Sequence, residues 1–169
     1  MTRIVFLLAA SALVLTAAES VPATDQAFAK GAAQGGLTEI QLGKLALTKG
    51  TNQNVKDFGQ KMVDDHTRIS DDLRSVAGQK DIMLSTDLTS AGRALVNRLS
   101  GLSGDAFDKA YMGAMVKDHQ TDLADFQKEA SSGADKDLQG FASRTLPILR
   151  QHLDMAKSTA ASVGAADTN

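Results

Sequence analysis

Three histidines occur in 169 residues, and two of them close near-identical pentapeptides, "MVDDH" at Met62–His66 and "MVKDH" at Met115–His119. His66 follows Phe58 and Met62 at intervals of four and precedes Ile69 and Leu73. His119 stands in the same way between Met115 and Leu123, and His152 between Leu149 and Met155. Spacings of three and four mark one face of a helix, so each histidine lies within an apolar stripe and points inward with it. A fourth stripe, Phe28, Ala32, Gly36, Glu39, Gly43 and Ala46, is small and apolar except for one carboxylate. Four helical segments therefore each offer one ligand: Glu39, His66, His119 and His152. Neutral imidazoles with a carboxylate suit a transition metal such as zinc, iron or copper. Asp65 and Asp118 sit about 100° round the helix from their neighbouring histidines. They are candidate outer partners, each orienting a histidine on an adjacent helix.

The same residues also suit a metal-free role. Buried histidines hydrogen-bonded to Asp65, Asp118, Glu39 or Tyr111 would form a polar seam that fixes helix register, and the sequence alone favours that seam. Convergence is a further demand: Glu39 lies 11 residues before Gly50 and His66 16 after it, while His119 lies 14 before Gly133 and His152 19 after it. Each mismatch is about one and a half turns at ~1.5 Å per residue, which tilt must absorb. A dinuclear carboxylate centre would want Glu-x-x-His on the helices. Val63 and Val116 occupy those positions, so oxygen-activating diiron chemistry is not expected. There is no cysteine nucleophile, no G-x-S-x-G turn, no phosphate-binding loop and no H-E-x-x-H, and no catalytic or organic-cofactor residues are assigned. Met62, Met112, Met115 and Met155 near the histidines read as core filler.

The elements that position these residues are helices. Hydrophobic content is 43%, Trp is absent and only six Phe and one Tyr are present, a mix that favours helix over sheet. The periodicity predicts helices at about 25–49, 52–78, 104–131 and 135–161, with a short one at about 88–99. A lead-in at 19–24 precedes this 25–160 bundle, and a polar tail at 161–169 follows. Gly50 is expected to end the first helix in a left-handed cap. Short turns near Gly50 and Gly133 make two hairpins, and the segment 79–104 is long enough to be a crossover. That is the connectivity of an all-α, ferritin-like four-helix bundle. Phe58, Met62, Val63, Asp65 and His66 align at one offset with Tyr111, Met115, Val116, Asp118 and His119, as a duplication or a shared amphipathic pattern would produce.

The first eighteen residues carry Arg3, an apolar run from Ile4 to Leu15, and then Thr16, Ala17 and Ala18, the three-part pattern of a secretory signal peptide. Its removal takes away one positive charge and leaves the mature chain one unit more negative than the formal −2 of the whole. That weak, mixed charge gives no footing for nucleic acid. After the signal no apolar run reaches the ~20 residues of a membrane span. With no cysteine for disulfides or lipidation, the expectation is a periplasmic or cell-envelope protein held together by its core. A homodimer, or an envelope protein bound through the crossover at 79–104, is the partner such a chain would have.

The segments "GGLTEIQLGKLAL" (Gly35 to Leu47), "VKDFGQKMVDDHT" (Val55 to Thr67), "FDKAYMGAMVKDH" (Phe107 to His119) and "TLPILRQHLDMA" (Thr145 to Ala156) together resemble domain-of-unknown-function family 4142. The resemblance covers almost all of the mature chain. It implies a signal peptide, an envelope location and a ferritin-like bundle, with Glu39, Asp65, His66, Asp118, His119 and His152 as its recurring polar positions, and it implies no reaction or ligand. The expected role is that of a non-enzymatic envelope protein, in stress tolerance or in metal binding and buffering.

Overall fold

The computed structural model describes residues 20–165. Residues 1–18, where a signal peptide is expected, together with Glu19 and the last four residues of the polar tail lie outside the described residues. Five helices follow in order: α1 (Ala23–Lys49), α2 (Gln53–Gly78), α3 (Ser90–Ser100), α4 (Gly104–Ser132) and α5 (Lys136–Ser162). The boundaries fall within about two residues of those read from periodicity, the usual scatter at fraying ends. Asn52, Thr89 and Asp135 cap α2, α3 and α5, each accepting backbone N–H bonds from the first turn. Among the described residues, no helix is long and apolar enough to cross a membrane.

α1 packs against α2 and α4, and α5 packs against α4 and α2, which sets the four long helices at the corners of a square. Two aspartates show how neighbouring hairpins run. Asp25, at the start of α1, accepts from the backbone N–H groups of Ala134 and Asp135 at the α4–α5 turn, at 2.8 and 2.7 Å. Asp108, at the start of α4, accepts from Thr51 and Asn52 at the α1–α2 turn, the shortest bond being 2.8 Å to the Asn52 N–H. Each hairpin thus caps the turn of the other, and α1 runs antiparallel to α4. At the far end of α2, Lys80 bonds Asp135 and Asp137 at the start of α5, so these two are also antiparallel. α2 and α4 are then parallel across the diagonal. Their connection has to travel the length of the bundle, which is why 79–103 is long and carries α3. α3 lies on α1 and α4, with Ile82 and Leu99 buried and Met83 the exposed apolar side chain of the segment.

Gly50 differs from expectation. Its φ of −70° and ψ of 151° are extended, not left-handed. Glycine is required there by space: a Cβ would lie 2.7 Å from the Ala46 carbonyl oxygen and 3.0 Å from the Asp108 carboxylate. Close approach also governs α1 against α2. A Cβ on Gly43 would meet the Gly59 carbonyl oxygen at 2.6 Å, and one on Gly59 would meet Ala46 Cβ at 2.6 Å.

Two apolar clusters fill the bundle. One, around Phe58, Met62, Phe107, Tyr111, Met112 and Met115, lies towards the α1–α2 turn. The other, around Leu73, Phe126, Leu138, Phe141 and Leu149, lies towards the α4–α5 turn. Glu39, His66, His119 and His152 belong to neither cluster, although all four are buried. They form a polar layer between the two.

Candidate metal centre

Each long helix contributes one side chain to this layer: Glu39 from α1, His66 from α2, His119 from α4 and His152 from α5. None is more than 3% exposed. One nitrogen from each imidazole lies within 4.8 Å of the other two. The α1–α2 loop, Gly50–Asn52, is centred on Thr51 rather than on the glycine, which cuts the mismatch counted from Gly50 to less than one turn, a distance the side chains span. Gly36 makes the lateral room, its Cα hydrogen side facing His66 Nδ1 and Ser70 Oγ.

The outer nitrogens of His119 and His152 are held by acceptors, and that of His66 is held by the Glu39 carboxyl. His119 Nδ1 lies 3.0 Å from the Met115 carbonyl oxygen, which can only accept, so Nδ1 carries the proton. His152 Nε2 lies 2.8 Å from Asp65 Oδ2. Burial alone would raise Asp65, but hydrogen bonds from His152, Lys61 and Arg68 outweigh it and hold the carboxyl at about 2. Asp65 is therefore an ionised acceptor, and His152 carries its proton on Nε2. His66 Nδ1 lies 2.8 Å from Glu39 Oε2.

Burial drives the imidazoles to the neutral form. His66 is lowered to about 4 by desolvation, against the pull of Asp118 and Asp65. His119 falls to about 3, from desolvation and then from His66 and His152. His152 falls to about 4, again chiefly from desolvation, opposed by its bond to Asp65. Neutral rings with these tautomers, assigned from the acceptors, leave His119 Nε2 and His152 Nδ1 as bare lone pairs 3.4 Å apart. Glu39 Oε1 is also 3.4 Å from His119 Nε2. Ligands at about 2.05 Å around a tetrahedral zinc are separated by about 3.4 Å along each edge. His66 Nε2 and Glu39 Oε1 are buried without a hydrogen-bond partner. Orphaned polar atoms in a protein interior call for an explanation, and an ion is one.

Glu39 is raised well above the ordinary carboxylate range by desolvation and then by Asp118. The structure separates the two aspartates singled out in the sequence. Asp65 bonds His152 on the neighbouring helix. Asp118 hydrogen-bonds no histidine among the described residues, and its carboxylate instead joins Glu39 and Asp122 within 4.8 Å. Asp122 escaped the sequence reading. Its signal was the i, i+4 carboxylate pair with Asp118 beside the stripe that holds His119. Tyr111 is also near, its hydroxyl buried and unpartnered, and it is raised by burial and then by Glu39. The hydrogen bonds expected of a polar seam, His66 to Glu39 and His152 to Asp65, are present, and the inner nitrogens of His119 and His152 face each other.

The fold is similar to that of a solved structure titled "Crystal structure of DUF305 fragment from Deinococcus radiodurans", with a TM-score of 0.74 and 12% sequence identity. The match covers 85% of this chain and 99% of that one, and at such identity the likeness is one of fold alone. No curated protein matches the chain. The domain of unknown function DUF4142 matches residues 10–159, nearly the whole length, and the chain belongs to that family.

Proposed function

We propose that this protein is an exported, non-enzymatic bundle that binds and buffers a transition metal through Glu39, His66, His119 and His152. The observation that carries the reading is the orientation of the rings. Met115 and Asp65 accept from the outer nitrogens of His119 and His152 and the Glu39 carboxyl bonds that of His66, leaving His66 Nε2, His119 Nε2 and His152 Nδ1 without those partners within a sealed layer. Three nitrogens and one carboxylate oxygen form a borderline donor set suited to zinc, with iron(II) and copper(II) as competitors. Glu39 Oε1, 3.4 Å from His119 Nε2, adds a fourth donor to the three imidazoles. Closed sets of this kind hold metal, whereas catalytic zinc sites keep an open position. Asp65 and the Met115 carbonyl act as the outer partners that fix tautomer and ring direction.

The basic, apolar and small-residue pattern of residues 1–18 supports export to the periplasm or cell envelope, where such a protein would limit free metal under stress. Zinc titration against a chromophoric chelator tests the binding. The wild type is expected to take up about one zinc per chain, with affinity lowered roughly 10–100-fold in Asp65→Asn, which loses only an outer partner. Failure of the wild type to compete at all would overturn the reading.

A further inference from the structure

Beyond the histidines, the bundle holds three carboxylates that no lysine or arginine among the described residues pairs. Glu39, Asp118 and Asp122 each place an oxygen within 4.8 Å of the other two. Among the described residues neither Asp118 nor Asp122 makes a salt bridge or side-chain hydrogen bond, although Lys61, Arg68 and Lys80 are all taken up by other acids. Glu39 is 1% exposed, and its Oε1 has no hydrogen-bond partner. The buried carboxyl thus carries an orphaned oxygen beside the imidazoles and also places an oxygen within reach of Asp118 and Asp122. Asp122 also lines a cavity of about 530 Å³ between α1 and α4. Asp25, Asp125 and Glu129 outnumber the one base, Lys128, on the polar wall of that cavity, and Phe28 and Phe126 give it an apolar one.

We propose that Glu39, Asp118 and Asp122 form a second cation position, oxygen-only and reached through this acidic cleft, which shares Glu39 with the histidine site. The inference rests on the metal-binding reading only in that shared residue. An all-oxygen set selects hard divalent ions such as Mn²⁺, in contrast to the nitrogen-rich set beside it. Asp118 and Asp122 are partly exposed while the histidines are sealed, so the oxygen position is the one in contact with solvent. The cleft concentrates cations at its mouth, as acid-lined concavities do. A metal ion arriving there would meet Asp122 first, with Glu39 buried deeper in the bundle.

The test uses the full mature chain with Mn²⁺ as probe, its binding read from loss of the free-ion paramagnetic resonance signal, before and after zinc loading. The wild type is expected to bind about one Mn²⁺ per chain. Asp118→Asn with Asp122→Asn should weaken Mn²⁺ by at least roughly tenfold while zinc uptake is retained. Each replacement is isosteric and relieves like-charge repulsion, so folding is expected to survive, and far-ultraviolet dichroism confirms it. Glu39→Gln should weaken both ions. The proposal is overturned if the wild type binds no Mn²⁺ at millimolar concentration, or if the double variant binds it as the wild type does. A wild type that binds Mn²⁺ but no zinc refutes the histidine site alone and leaves this one standing.

Discussion

Replacing His119 by Ala separates the metal's contribution to stability from the ring's own. A ligand that binds only the folded state adds RT ln(1 + [L]/Kd), about 2.7 kcal/mol at one hundred times Kd. A bundle of this size unfolds with an entropy of about 0.3 kcal/mol per kelvin, so that increment raises the melting temperature by about 9 °C. His119 supplies Nε2, which lies 3.4 Å from both His152 Nδ1 and Glu39 Oε1, so its removal takes out the donor common to both edges. The metal-dependent increment should then vanish. The ring is fully buried and packs against Phe58 and His152, with centroids 6.3 and 5.3 Å away. Its loss should therefore cost the metal-free protein about 1–3 kcal/mol as well. The assay is differential scanning calorimetry of wild type and variant, each with excess chelator and with zinc. The expected result is a zinc-dependent rise of about 9 °C in the wild type and none in the variant. Equal rises in both proteins would refute the assignment, whatever their metal-free melting temperatures.

Three further outcomes follow from other parts of the structure. The histidines stay neutral down to about pH 4 when folded but titrate near 6.5 when unfolded, so their stabilisation is complete above pH 6.5 and is lost as pH falls towards 4. His152→Gln should make the loss between pH 6 and 5 shallower by about 1 kcal/mol per pH unit in urea titrations of metal-free protein, and parallel curves would contradict this. Gly43→Ala should cost about 1–3 kcal/mol, because its Cβ would strike the Gly59 backbone. It should also weaken zinc by parting α1 from α2, and a variant with wild-type affinity would show that the Glu39–His66 contact does not depend on this approach. Asp108→Ala should cost about 2–4 kcal/mol, since buried Asp108 bonds two backbone N–H groups and the Thr51 hydroxyl. Chemical denaturation that finds Asp108→Ala and Asp25→Ala additive would fit two independent turn caps at opposite ends of the bundle.

Much of this arrangement was legible in the sequence because helical periodicity is a direct record of which face is buried. The stripes through Phe58 and His66, and through Met115 and His119, placed three histidines inward, and the long 79–104 segment marked the crossover. Register was harder to read. Whether Glu39 meets His66 depends on where the turn is centred, and the sequence marks Gly50 as the boundary although Thr51 is the midpoint. Gly50 was misjudged for a related reason: glycine signals either positive φ or missing space, and only the Asp108 carboxylate beside it distinguishes the two. Asp108 lies in the first turns of its own helix, yet it caps the opposite hairpin, a partnership that no local pattern encodes. Asp122 was overlooked because an acid beside an apolar stripe reads as solvated surface. Its significance arises only when α4 is set against α1 and Glu39 comes within reach.

The most direct test of the central claim is the metal content of the mature protein purified from its natural host without chelator or affinity tag, beside a His66→Ala, His119→Ala double variant. The account predicts near-stoichiometric zinc, iron or copper in the wild type and its loss in a variant that remains helical. Metal-free wild type that also refuses these ions on addition would contradict it and leave the repeated "MVxDH" as a hydrogen-bonded seam between two apolar cores.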